Sequence, residues 1–94
     1  MARVRAEVKI TGLVQGVFFR SYTMDKALSL KICGWVRNMP DGTVQAVFEG
    51  EEDSVRRIVD WCHEGPPSAV VKEVKAEFHP YTGEFDTFRI SPFL

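Results

Sequence analysis

A glycine-containing turn followed by an arginine is the part of this chain whose residue types could bind an anion. The segment from Gly12 to Arg20 reads Gly-Leu-Val-Gln-Gly-Val-Phe-Phe-Arg, and it leads from an apolar strand toward the start of a helix. Gly16 lets the backbone approach an anion without a Cβ clash. A helix start offers unpaired N–H groups, and arginine adds a planar fork that matches phosphate oxygens. We therefore predict a phosphate site built from the following residues: Gln15, Gly16, Val17, Phe18, Phe19 and Arg20.

Asn38 supplies a second polar side chain, at the end of another apolar stretch. A lone glycine turn before a helix usually only reverses the chain, so the first segment needs this support. In the segment 34–38, which reads Gly-Trp-Val-Arg-Asn, Asn38 comes just before the turn at 40–42. Its carbonyl and amide groups suit holding a neutral water molecule in line for attack without removing a proton. The alternative interpretation is that Asn38 only shapes the turn.

Together the two segments resemble the acylphosphatase family. The family pattern Gly-x-Val-Gln-Gly-Val-x-Phe-Arg matches 12–20 at each specified position, and Gly-Trp-Val-Arg-Asn matches the whole of 34–38. Further matches are Asp-Gly-x-Val at 41–44, Glu-Gly at 49–50 and Gly-Pro-Pro at 65–67. The resemblance runs from about Ala6 to Ile90, nearly the whole chain.

The resemblance implies an enzyme that hydrolyses the carboxyl-phosphate bond of small acyl phosphates to a carboxylate and inorganic phosphate. No metal and no organic cofactor is expected, and phosphate or sulfate should compete for the site. An acyl phosphate has a leaving carboxylate that is already a weak base, so positioning matters more than strong acid catalysis. The family assigns phosphate binding to Arg20 and water positioning to Asn38. The alternative for Arg20 is a surface ion pair, the usual role of a lone arginine.

Composition agrees with a small enzyme. The 94 residues carry 12 Lys and Arg against 13 Asp and Glu, a formal net charge of −1. We expect one domain over 1–94, and no general attraction to nucleic acid or to an anionic membrane. The N-terminal residues pass directly into an alternating strand, without a long apolar segment. We predict a cytoplasmic monomer whose partner is a small acyl phosphate.

The cysteines and histidines do not form a pattern that suggests further chemistry. Cys33 and Cys62 are too few for a disulfide scaffold or a metal site, and we interpret them as buried free thiols, with a single bridge as the alternative. His63 lies near the end of a predicted helix and His79 precedes a proline, so both are interpreted as structural or solvent-facing.

Hydrophobic periodicity predicts the elements that position these residues. The expected elements are an alternating strand over 4–10, a helix over about 21–30, strands over about 34–39 and 43–49, a helix that starts at 51–53 and stops at 65–67, a strand over 74–78 and a short strand over 88–90. This β-α-β-β-α-β order predicts an α+β, ferredoxin-like split β-α-β sandwich, an antiparallel sheet with two helices on one face. Acylphosphatases share this fold.

The fold also carries RNA-binding modules and metal chaperones, which the residues do not favour. The segment 43–49 offers one aromatic residue and ends acidic, whereas RNA-binding sheets need several aromatics in a basic setting. A copper-type chaperone needs paired cysteines in the first loop, which has none. Two alternatives stay open: a non-catalytic phosphate or acyl-phosphate binding module, and a domain of the kind fused to hydrogenase-maturation carbamoyltransferases.

Several residues near the motifs are interpreted as outside the chemistry or as departures from the family. Strand alternation puts Arg37 on the face opposite Asn38. The carboxylates of Asp41, Glu49 and Glu51 are assigned to a turn and a helix start. Many family members have glycine at the position of Lys31, which concerns stability. Phe18 is bulkier than the small residue often found in this loop, which leaves the acyl preference in doubt.

Overall fold

The computed structural model describes residues 2–92 and contains the predicted order of elements. They are β1 (Arg3–Leu13), α1 (Phe19–Ser29), β2 (Cys33–Asn38), β3 (Val44–Glu51), α2 (Glu52–Glu64), β4 (Val70–Pro80) and β5 (Phe88–Ile90). The predicted centre of each element is confirmed. The main differences are in the bounds. β1 extends to Leu13 rather than 10, α1 begins at Phe19 rather than near 21, β3 extends to Glu51 rather than 49, and β4 covers Val70–Pro80 rather than 74–78.

The five strands form one sheet in the order β4-β1-β3-β2-β5. Strands β1, β2, β3 and β4 pair antiparallel, but β5 pairs parallel with β2, with Phe88 opposite Gly34. The expected purely antiparallel sheet is therefore mixed at one edge. The cause is the position of β4 at the other edge. Strand β4 runs opposite to β1 and β2. Between Pro80 and Phe88 the chain crosses along one end of the sheet to the other edge and reverses its direction. Strand β5 therefore runs opposite to β4 and parallel to β2.

Both helices cover the same face of the sheet, as expected. Alternate residues of β1, Ala6, Val8 and Ile10, are buried, and their partners on β3 are Phe48, Ala46 and Val44. The buried stripe of α2 is the predicted one: Val55, Ile58, Val59 and Cys62. The buried residues of α1 are Phe19, Thr23 and Ala27. Each fully buried Val, Ile or Phe side chain contributes roughly 1.5–3 kcal/mol, so this face supplies the core on which the loops rest.

The two cysteines are free thiols. Cys62 is buried, and this burial raises the pKa of its thiol to about 12, while Cys33 is half-buried. His63 lies with Nδ1 3.2 Å from the carbonyl oxygen of Val59 in the preceding turn of α2, and His79 is exposed between Glu7 and Glu77. Of the helices formed by residues 2–92, neither is long and apolar enough to cross a membrane.

Candidate active site

The loop between β1 and α1, residues 14–18, is called the phosphate loop below, and it leads into α1 with a row of unpaired backbone N–H groups. Gly16 and Phe18 both have left-handed backbone conformations, with φ of 75° and 65°, so the chain turns sharply before α1 begins at Phe19. Within residues 2–92, none of the loop and turn hydrogen bonds uses an N–H group of residues 15–21 as donor. A helix N-terminus with unpaired N–H groups has partial positive charge, which suits an anion.

Arg20 is the second residue of α1 and lies beside this loop. It is half-buried, and over residues 2–92 its guanidinium makes no ion pair and no side-chain hydrogen bond. The alternative interpretation, a surface ion pair, therefore has no carboxylate partner in the described part of the chain. A half-buried guanidinium without a counter-ion is a ready donor to an anionic ligand.

One cavity joins the loop, Arg20 and Asn38. It has a volume of about 290 Å³ and is lined by Val14, Gly16, Phe18, Phe19, Arg20, Ser21, Asn38 and Ile90. Strands β1 and β2 are not neighbours, because β3 lies between them. The loop and Asn38 still meet, since β1 and β2 run in the same direction and both end at the same edge of the sheet. A water molecule occupies about 30 Å³ in the liquid, so the cavity has room for a phosphate and a further group.

Asn38 lines this cavity and carries an unsatisfied hydrogen-bond acceptor. The residue is 9 % exposed, and its Oδ1 is buried without a hydrogen-bond partner among residues 2–92. An unpaired buried acceptor costs about 1–3 kcal/mol, so such groups call for a bound water or ligand. If Asn38 only shaped the turn, its side chain would be expected to bond to the turn backbone.

Gln15 has a role that the sequence did not predict. Residues 15–20 were expected to bind phosphate through backbone groups. The side-chain Nε2 of Gln15 instead donates hydrogen bonds to the carbonyl oxygens of Met39, at 2.8 Å, and Thr43, at 2.9 Å. Both acceptors lie in the turn between β2 and β3, directly after Asn38. Gln15 thus ties the phosphate loop to the hairpin that carries Asn38. The available signal was an amide side chain in a loop that otherwise holds only glycine and apolar residues.

The turn that follows Asn38 is fixed by its own side chains. Asp41 Oδ1 accepts hydrogen bonds from the Thr43 hydroxyl, at 2.6 Å, and the Thr43 N–H, at 3.0 Å. The hydroxyl and then the N–H of Thr43 hold the pKa of Asp41 below its ordinary value. Gly42 takes a left-handed conformation, with φ of 90°. The assignment of Asp41 to the turn is therefore confirmed.

The predicted strand over 43–49 places Glu49 correctly, but neither a turn nor a helix start explains its carboxylate. Glu49 lies within β3 with its side chain on the sheet face that the helices do not cover, and it is 1 % exposed. Its carboxylate accepts hydrogen bonds from the Thr82 hydroxyl at 2.7 Å, from the N–H groups of Thr82 and Gly83 at 3.0 Å each, and from Arg5 at 3.2 Å. Burial raises the pKa of Glu49, but these hydrogen bonds outweigh burial and lower it.

Glu49 thus fastens the segment that crosses the sheet between β4 and β5. It pairs across the sheet with Arg5, near the start of β1, whereas the phosphate loop follows the end of β1. The carboxylate belongs to the opposite end of the sheet and takes no part in the cavity. This role depends on the tertiary structure, because Glu49 is 33 residues from Thr82 in the sequence. Glu51 is the residue directly before α2, as expected.

Arg37 lies on the face opposite Asn38, as alternation predicted. Its guanidinium carbon is 4.4 Å from the centre of the Trp35 ring, and its Nη2 donates a hydrogen bond to Gln45 at 3.4 Å. It does not line the cavity of Arg20 and Asn38.

The sequence comparisons agree on one family. The sequence model described as Acylphosphatase matches residues 6–90. An acylphosphatase from Pelotomaculum thermopropionicum is 53 % identical over 91 residues, which cover 97 % of this chain and 99 % of that protein. One from Aeropyrum pernix is 53 % identical over 88 residues, 93 % of this chain and 87 % of that protein. Among solved structures, an acylphosphatase from Coxiella burnetii is 38 % identical with a TM-score of 0.90, and the match covers 96 % of this chain and 94 % of that one.

Proposed function

This chain belongs to the acylphosphatase family and hydrolyses acyl phosphates, and we propose that Arg20 and Asn38 carry out that reaction in the cavity between the phosphate loop and β2. The observation that carries the proposal is the convergence of three unpaired groups on one small cavity. The cavity is lined by Gly16 and residues 18–21, whose N–H groups are unpaired, by Arg20, whose guanidinium is unpaired, and by Asn38, whose buried Oδ1 has no hydrogen-bond partner among residues 2–92.

In the proposed reaction, the loop N–H groups and Arg20 bind the terminal phosphate oxygens and stabilise the negative charge that develops there. Asn38 Oδ1 accepts a hydrogen bond from a water molecule and holds it in line with the bond that breaks. The water oxygen bonds to phosphorus while the bond from phosphorus to the acyl oxygen breaks. A substrate phosphate oxygen takes the water proton, and a carboxylate and inorganic phosphate leave.

We further propose the finer points that the residues favour. Residues 1–94 form a single domain, which acts as a monomer in the cytoplasm. Inorganic phosphate and sulfate occupy the loop of residues 15–20 as competitive inhibitors, because that loop recognises a tetrahedral anion by charge and N–H geometry.

The test is phosphate release from benzoyl phosphate in EDTA by the parent chain and by Arg20→Lys. Lysine keeps the charge but loses the bidentate fork, so kcat/KM should fall by about two orders of magnitude, and the inhibition constant for phosphate should rise. Arg57→Lys is the matched control, because Arg57 is an exposed residue of α2 outside the cavity, and its activity should equal that of the parent.

Activity of Arg20→Lys within about threefold of the parent, less than 1 kcal/mol in transition-state stabilisation, would contradict the assignment of Arg20. Tight phosphate binding by the parent without turnover of benzoyl phosphate would instead favour the non-catalytic binding module.

A further inference from the structure

Phenylalanine at position 18 does not suit its local structure in three respects. Its φ of 65° is left-handed, a conformation that glycine or asparagine adopts at lower cost. It precedes α1 as the N-cap but makes no side-chain capping hydrogen bond, which serine, threonine, aspartate or asparagine would supply. The residue is 73 % exposed and lies outside the hydrophobic core. Residues that break several local rules without a compensating contact are expected at functional sites.

The ring lies at the rim of the proposed phosphate site. Phe18 lines the same cavity as Arg20 and Asn38, and the other exposed large apolar residue of that cavity is Ile90. Ile90 pairs with Val36, two residues before Asn38, so it lies on the side of the proposed water. Phe18 belongs to the phosphate loop itself. An exposed aromatic ring next to an anion site offers an apolar surface to whatever is attached to the anion.

In-line attack decides which part of the substrate can reach each side of the cavity. The attacking water and the leaving oxygen stand on opposite sides of phosphorus. If Asn38 holds the water, the acyl group extends from the phosphate on the side away from Asn38 and Ile90. The large apolar side chain that remains at the rim is Phe18.

We propose that Phe18 is a specificity-determining residue, whose ring contacts the acyl group and favours acyl phosphates with aromatic or large apolar acyl groups over short ones. The inference rests on the proposed function of the Arg20 and Asn38 cavity. It concerns only the choice of substrate, since Phe18 offers no polar side-chain atom to the phosphate or to the water.

The experiment compares kcat/KM for benzoyl phosphate and acetyl phosphate in the parent, in Phe18→Asn and in Phe18→Leu. Asparagine removes the ring but tolerates the left-handed conformation, so the loop keeps its shape. We expect the ratio of kcat/KM for benzoyl phosphate to kcat/KM for acetyl phosphate to fall by about tenfold in Phe18→Asn, the scale of discrimination by an apolar contact. Phe18→Leu should lie between Phe18→Asn and the parent.

Two further measurements make the result specific. The inhibition constant for inorganic phosphate should change by a smaller factor than the substrate ratio in Phe18→Asn, because the N–H groups and Arg20 are retained. Leu28→Ala, which removes an exposed apolar side chain of α1 outside the cavity, should leave the substrate ratio unchanged.

An unchanged ratio of the two kcat/KM values in Phe18→Asn would overturn the inference. If the ratio is unchanged because both values fall equally, the side chain would have a role in loop geometry instead. In both cases the parent would still hydrolyse both substrates, and the proposed function would stand. Failure of the parent to hydrolyse either substrate would instead contradict the proposed function, and with it the inference.

Discussion

Replacing Gln15 with leucine tests whether the phosphate loop and the hairpin of Asn38 act as one unit. The substitution keeps an approximately equal side-chain size but removes the amide that donates to Met39 and Thr43 at 2.8 and 2.9 Å. Each neutral hydrogen bond contributes about 1 kcal/mol, so the two together contribute about 2 kcal/mol. The value stays near this level because neither carbonyl is left unpaired: Met39 O keeps the N–H of Gly42, and Thr43 O keeps the N–H of Met39.

The loss should appear in both stability and turnover. We expect the free energy of unfolding to fall by about 2 kcal/mol, a considerable part of the 5–15 kcal/mol typical of a domain. We expect kcat to fall by about 10- to 100-fold, because small displacements of a positioned group have effects of this size. The inhibition constant for phosphate should change by less than about threefold, since the loop N–H groups and Arg20 remain. Urea unfolding and initial rates with benzoyl phosphate measure these quantities.

Two further variants separate hydrogen bonding from size. Gln15→Glu has nearly the parent shape, but its carboxylate at neutral pH would face two carbonyl oxygens, so it should be at least as impaired as Gln15→Leu. Gln45→Leu is the matched control, because Gln45 makes its side-chain hydrogen bond with Arg37 on the other face of the sheet. Parent-like stability and turnover in Gln15→Glu would refute the reasoning.

Three other predictions follow from single residues. Asn38→Ala should lower kcat by about a hundredfold and leave the inhibition constant for phosphate nearly unchanged. The kcat of Asn38→Asp should be no higher than that of Asn38→Ala, and parent-like activity of Asn38→Asp would favour a general base instead. Lys31 has a φ of 58°, so Lys31→Gly should raise the free energy of unfolding by up to about 1 kcal/mol, and a lower melting temperature would contradict this. Glu49→Gln should cost about 2–3 kcal/mol at neutral pH. Because the folded-state pKa of Glu49 is lowered, this cost should shrink as the pH falls below the ordinary glutamate pKa, and a pH-independent difference in urea unfolding would count against the role of its charge.

The sequence by itself determined the elements and the groups that could do the chemistry. Alternation over 4–10 and the helical stripe of α2 are local patterns, and each identifies the face that must be buried whatever the rest of the chain does. The glycine turn before Arg20 and the strand that ends at Asn38 are equally local. Glycine is common at the position of Lys31 in the family, and this is the local signal for the left-handed backbone that the structure shows there.

The tertiary structure alone decided which distant groups meet. The Gln15 amide finds its acceptors in a turn 24 and 28 residues away, and the Glu49 carboxylate finds its donors 33 residues away. Strand β5 runs parallel to β2 because β4 occupies the far edge of the sheet. Hydrogen bonds between distant segments depend on strand order and register, which periodicity does not encode, since the same alternating strand can pair in several orders with the same face buried.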